Sequence, residues 1–166
     1  MRFLVLLLPF LLGCQTAPVF QEPELRELAD RVWDKLLSKA SPEEAARLNR
    51  ISVGTHNMEF KFQDLESPKI ATCSLEYRSF TSKRVPVITY SRMFWGFDTD
   101  IQKEQTMLHE LGHCALGLMT YDDTLYNEDG LLIPVSVMHS HRMISEYFIK
   151  YNDYYYLEIL DKVFKK

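Results

Sequence analysis

Apolar residues recur at intervals of three and four from Glu22 to Ala40, where Leu25, Leu28, Ala29, Val32, Trp33, Leu36 and Leu37 form one stripe. That spacing predicts an amphipathic helix with a packing role. Ser41-Pro42-Glu43-Glu44 then joins an N-cap serine, a proline at the first helical position and a glutamate at the third, so a short second helix should run to about Asn49. The period changes to two at Ile51-Ser52-Val53-Gly54 and again at Met58-Glu59-Phe60-Lys61-Phe62, as in half-buried strands. Ile70 to Leu75 and Val85 to Tyr90 read as two more strands. Pro86 implies that the latter lies at an edge or starts there.

Met93-Phe94-Trp95-Gly96-Phe97 reads as an aromatic turn whose rings serve packing, leading into a helix. Thr99 with Gln102 forms a capping box for that helix, and Ile101, Met107, Leu108, Leu111, Ala115 and Leu116 give it an apolar face that Gly117 ends. The polar stretch from Thr120 to Gly130 reads as a surface loop. Ile133 to His141 leads into a final helical region from about Arg142, where Tyr147, Phe148, Tyr151, Tyr154, Tyr155 and Tyr156 form a core or groove wall. No internal repeat interrupts this order, so residues 22–166 read as a single α+β domain.

The first residues change the picture of where the chain works. Met1-Arg2-Phe3 precedes an apolar run through Leu12 that is too short to span a bilayer, which predicts a secretory signal over residues 1–13. Leu11-Leu12-Gly13-Cys14 resembles the bacterial lipobox, and the resemblance implies cleavage before Cys14 and lipidation of its thiol. Gln15, in place of Asp, after that cysteine implies outer-membrane delivery within the bacterial envelope. Residues 14–21 would then be a tether between lipid and domain. Without residues 1–13 the chain loses Arg2 alone among its charges, leaving 18 Lys+Arg against 23 Asp+Glu and a formal charge of −5. Nucleic acid is therefore not an expected partner, and a monomer is expected. Cys73 and Cys114 would be left as an even pair in an oxidising compartment, either bonded to each other or each a small buried hydrophobe.

Chemistry concentrates in the capped helix, at His109-Glu110-Leu111-Gly112-His113. Residues four apart share a helix face, so His109 and His113 can hold one ion while Glu110 reaches a water beside it. This is the zincin signature, and Ser136-Val137-Met138-His139 resembles the Met-turn of metzincin metallopeptidases. With the Leu116-Gly117 pair and the tyrosine-rich last helix, the pattern is similar to a group of bacterial lipoprotein metallopeptidases over roughly Trp95 to Leu160. The resemblance implies a small mixed sheet packed on the active-site helix, a C-terminal helix, bound Zn2+, Glu110 as general base and Met138 as the structural methionine of the turn.

The sequence departs from the metzincin pattern where a third metal histidine would stand, since Met119 and Thr120 occupy the candidate places. A catalytic zinc site has three protein ligands and one open position, so another side chain must serve. Asp122, just beyond the helix-ending glycine, is the choice, with Asp123, His139, His141 and Glu146 as rivals. Ser140 stands where astacin-like enzymes carry a zinc-contacting tyrosine, a role that Tyr121 or Tyr126 could take. The expected function is a lipid-anchored zinc peptidase acting on peptides or proteins. A non-catalytic envelope lipoprotein with a structural zinc, and a metal-free scaffold lipoprotein, are the competing expectations.

Overall fold

Proline stands at the start of the first helix, α1 (Pro23–Lys39), where its missing N–H costs no hydrogen bond. The computed structural model describes residues 22–55, 58–78, 83–126, 128 and 130–165; the predicted signal over 1–13, Cys14 and the Gln15–Gln21 tether lie outside the described residues. The α1 stripe is buried from Leu25 to Leu36, as its period requires. The second helix, α2 (Pro42–Thr55), starts at the Ser41 cap, whose hydroxyl accepts from Glu44 N while Glu44 accepts from Ser41 N.

α2 runs through Ile51–Gly54, where a strand was expected. The helical reading prevails because Leu48 and Ile51, three apart, both pack on the core, whereas a four-residue alternation is too short to outweigh that face.

The three principal strands are β1 (Glu59–Gln63), β2 (Ala71–Arg78) and β3 (Lys83–Ser91). They form a mixed sheet in the order β1-β3-β2, with β1 parallel and β2 antiparallel to β3. Pro86 lies inside the central strand, at its fourth residue. β1 pairs only from Val87 onward, so β3 is locally an edge on that side at Pro86 and the missing donor is tolerated.

The aromatic turn is a short helix, α3 (Arg92–Phe97), and its rings do pack: Trp95 stands edge-on to Phe62 and Tyr90, each with ring centroids 5.2 Å away. The metal-motif helix, α4 (Asp100–Cys114), opens on the expected capping box, with Gln102 N donating to the Thr99 hydroxyl and Thr99 N donating back to Gln102. Gly117, at φ +65°, turns the chain out of it in the left-handed region that glycine adopts without strain.

Part of the expected surface loop is paired: β4 (Thr124–Tyr126) lies antiparallel to β5 (Leu132–Pro134). The final helical region starts later than Arg142 and is broken in two, α5 (Ser145–Lys150) and α6 (Asn152–Phe164), with Tyr151 between them outside helical geometry. Tyr155 and Tyr156 of α6 and Phe148 of α5 are buried, which makes the aromatic stripe core. Six helices and two small sheets are thus present among the described residues, an α+β fold. No helix among them is long and apolar enough to cross a membrane.

Candidate metal and catalytic site

One face of α4 is held by packing and one side is left open. Met107, Leu108 and Leu111 are buried in the core, and Glu104 accepts from Lys35 Nζ (2.7 Å), Tyr156 OH (3.1 Å) and Asn152 Nδ2 (3.3 Å), tying α4 to α1 and α6. His109, Glu110 and His113 line an open pocket of about 420 Å³ with Ala71, Thr72 and Cys73 of β2. A second pocket of about 250 Å³ continues from His109 and Glu110 toward Lys69, Thr106, His139 and Arg142.

The two imidazoles converge, with their Nε2 atoms 3.0 Å apart. What each ring does with its other nitrogen decides what that contact means. His109 Nδ1 lies 2.9 Å from the Val137 carbonyl, and His113 Nδ1 lies 2.7 Å from the Leu118 carbonyl. A carbonyl only accepts, so each Nδ1 must carry the proton and donate it. In neutral rings both Nε2 atoms are then bare lone pairs aimed at each other, an arrangement that is repulsive until a cation or a proton lies between them. Burial lowers the pKa of His109, which disfavours a proton there.

Glu110 is 6 % exposed. Burial raises its pKa to about 7, offset in part by the Cys73 backbone amide. A carboxyl tuned to this range can exchange protons near neutral pH, as a general base must.

Three pieces of local structure hold this geometry. Gly117 turns the backbone so that Leu118, whose N donates to Gly112 O at 2.9 Å, brings its carbonyl back to His113. Ser136 to His139 forms a tight turn in which His139 N donates to Ser136 O (3.2 Å) and Met138 N to the Ser136 hydroxyl (3.0 Å), placing Val137 O against His109. Met138, 0 % exposed, packs against Gly112, the residue before His113: a Cβ on Gly112 would overlap its Sδ. Only glycine at 112 lets the sulfur approach.

Cys73 and Cys114 form a disulfide that fastens β2 to the C-terminal end of α4. It selects the bonded reading of the two that the sequence left open. On the other side of the cleft Asp98 accepts from Tyr90 OH and Arg142 Nη1, both at 2.6 Å, joining β3, the start of α4 and the segment after the turn. Burial together with that carboxylate pushes the Tyr90 pKa up, so its hydroxyl stays a donor.

Of the third-ligand candidates, His139 alone is among the residues lining the two pockets. Among the described residues there is no group of three or more His, Cys, Asp or Glu placed to hold a metal ion. Asp122 is exposed and its Oδ1 accepts from Ser140 N at 2.8 Å. Asp123 and Glu146 are also exposed. His141 is exposed, its Nδ1 3.0 Å from the Ser140 hydroxyl. His139 lines the cleft, but its Nδ1 accepts from His141 N at 3.0 Å. Tyr121 stacks under Lys162 Nζ at 3.5 Å, and Tyr126 is 74 % exposed on β4, outside the residues lining the cleft.

Sequence reasoning missed Gly112, the Leu118 and Val137 carbonyls and the Cys73 amide. Gly112 alone carried a signal: a glycine inside a helix, directly before the second histidine of the motif, asks for a close neighbour. The chain matches no family model, no curated protein and no solved structure.

Proposed function

We propose that this chain is a zinc-dependent peptidase in which His109 and His113 hold the metal and Glu110 is the general base. The observation that carries the reading is the pair of bare Nε2 atoms 3.0 Å apart, each fixed by a carbonyl on its Nδ1, beside a buried carboxyl that opens onto a cleft. The donors fit zinc in kind, being imidazole nitrogens, and supply two of the three protein ligands that a catalytic site uses. Asp122 is the proposed third, and to serve it must release the Ser140 amide it now accepts from. When bound, the metal supplies Lewis acidity toward a carbonyl and toward water.

The chain's own groups do the rest. β2 is an edge strand, and Ala71 to Cys73 border the pocket that holds His109 and Glu110. An extended peptide adding alongside β2 would gain main-chain hydrogen bonds and lay a carbonyl over the imidazole pair. Glu110 takes one proton from the attacking water as the water oxygen bonds to the carbonyl carbon, then delivers it to the amide nitrogen as the C–N bond breaks. The products are one carboxylate and one amine, and no covalent enzyme intermediate is needed. A positive charge beside Glu110 lowers its pKa and so favours the base form.

The open pocket beside the pair favours this over a structural zinc, which would be closed by a fourth protein ligand. The test is Glu110→Gln, which should keep zinc bound while turnover falls by about 10²–10⁴. Unchanged turnover in that variant refutes the role of Glu110. Anchoring to an outer membrane through a lipidated Cys14 belongs to the same proposal. Mass spectrometry of the mature N-terminus tests it, and an unmodified thiol at Cys14 would refute it.

A further inference from the structure

We propose that His139 is a further catalytic residue, donating its Nε2–H to the scissile carbonyl oxygen as negative charge builds there. The proposal rests on the peptidase reading above and adds to it a hydrogen-bond donor for the oxygen that the metal's Lewis acidity would also polarise.

A neutral imidazole carries one proton. His139 Nδ1 accepts the His141 backbone N–H at 3.0 Å, so the proton of His139 must sit on Nε2. This is the reverse of His109 and His113, whose Nδ1 atoms both donate to carbonyls. Two histidines are therefore built to offer a lone pair and the third to offer an N–H. The same accounting removes His139 as the missing metal ligand, because its Nε2 has no free lone pair.

The His139 side chain is 12 % exposed and lines the cleft with His109 and Glu110, and among the described residues its Nε2 has no hydrogen-bond partner. It follows by two residues the Val137 carbonyl that orients His109, so a single tight turn sets both the metal ligand and the donor. Of the other donors along the cleft, Arg142 pairs with Asp98 and the Ser140 hydroxyl lies 3.0 Å from His141 Nδ1, while Lys69 and the Thr106 hydroxyl also border it. A fixed donor aimed at the developing oxyanion stabilises the transition state more than the ground state.

The experiment has two arms. In the first, nitrogen-15 NMR of the metal-free protein reads the tautomers directly. It should show His139 protonated at Nε2 and His109 and His113 protonated at Nδ1, and a His139 protonated at Nδ1 overturns the proposal. In the second, zinc-loaded wild type, His139→Ala and His139→Gln are compared on fluorescently labelled casein with zinc content measured in parallel. The alanine variant should lose about 10²–10³ in kcat, with KM nearly constant and zinc retained, and the glutamine variant, which keeps an N–H donor, should recover part of the loss. Loss of zinc in His139→Ala, or a change in KM alone, overturns the role. An active wild type with an indifferent His139→Ala refutes this inference alone. A zinc-loaded wild type that cleaves nothing refutes the peptidase reading and with it any catalytic part for His139.

Discussion

α4 carries two glutamates with opposite surroundings. Glu104 faces α1 and α6 and accepts from a lysine, a tyrosine and an asparagine. Glu110, less than two turns later, faces the cleft with one backbone amide for company and a pKa pushed up to about 7 by burial. The difference teaches how one helix can be both scaffold and site. Saturating one carboxylate with donors makes it a fastening, while leaving the other short of them makes it reactive.

The sharpest way to break the comparison is to neutralise each glutamate in turn. Glu110→Gln is expected to abolish most turnover without loosening the fold, whereas Glu104→Gln should leave kcat unchanged and lower stability by about 1 kcal/mol, the cost of weakening a partly buried charge-assisted network. Steady-state kinetics beside chemical denaturation would read both. A kcat that falls in Glu104→Gln would show that the two sides of the helix are not separable.

Next in size is the disulfide. Cys73 and Cys114 are 41 residues apart, and opening a loop of that length is worth up to ~4 kcal/mol of stability. Replacing both with serine should lower the denaturation midpoint accordingly. Because Cys73 also supplies the amide beside Glu110, activity should fall in that variant even at temperatures where it is folded. Full activity there would detach β2 from the positioning of the base.

Glu110 also makes the metal-free protein pH-sensitive. Its folded pKa, about 7, lies above the ordinary value of 4.5, so the group binds its proton more tightly when folded. Its contribution is intact below about pH 4.5 and is lost as pH rises through 7, a penalty of about 3 kcal/mol by pH 8. Thermal melts of metal-free wild type and Glu110→Gln should therefore diverge in that window, with the variant the less sensitive to alkali. Parallel curves would mean that burial does not perturb Glu110.

A smaller effect is expected at Gly112. Gly112→Ala places a methyl group against Met138 Sδ, so the buried Met138 side chain must shift, which should cost about 1–3 kcal/mol and tilt the imidazole pair. Zinc affinity should drop with stability, and an unperturbed variant would show that Met138 can move aside freely.

Much of this was legible in the residues themselves. The capping box of α4, the stripe of α1 and the pairing of two histidines four apart are local patterns, and local hydrogen bonds and packing enforce them. α2 was read too short because Ile51-Ser52-Val53-Gly54 satisfies a two-residue period by accident, while its true neighbours three residues back are what pack. The carbonyls of Val137 and Leu118 could not be read, since any residue supplies one and only the path of the chain brings it to a ring. The tautomers follow from those carbonyls and were hidden with them. Asp122 is chosen for its place just beyond the helix-ending glycine and by resemblance, and neither shows what the carboxylate touches, which is the Ser140 amide. The two cysteines were an even count with two meanings until the strand and the helix were seen side by side.

The most direct test of the central claim is a zinc titration of metal-stripped protein by calorimetry, with His113→Ala run alongside. The account predicts one tight site per chain in the wild type, protons released on binding in proportion to how far Glu110 is protonated, and no tight site in the variant. A wild type that takes up no zinc, or a His113→Ala variant that binds it as tightly, would contradict the claim that these two imidazoles exist to hold a metal.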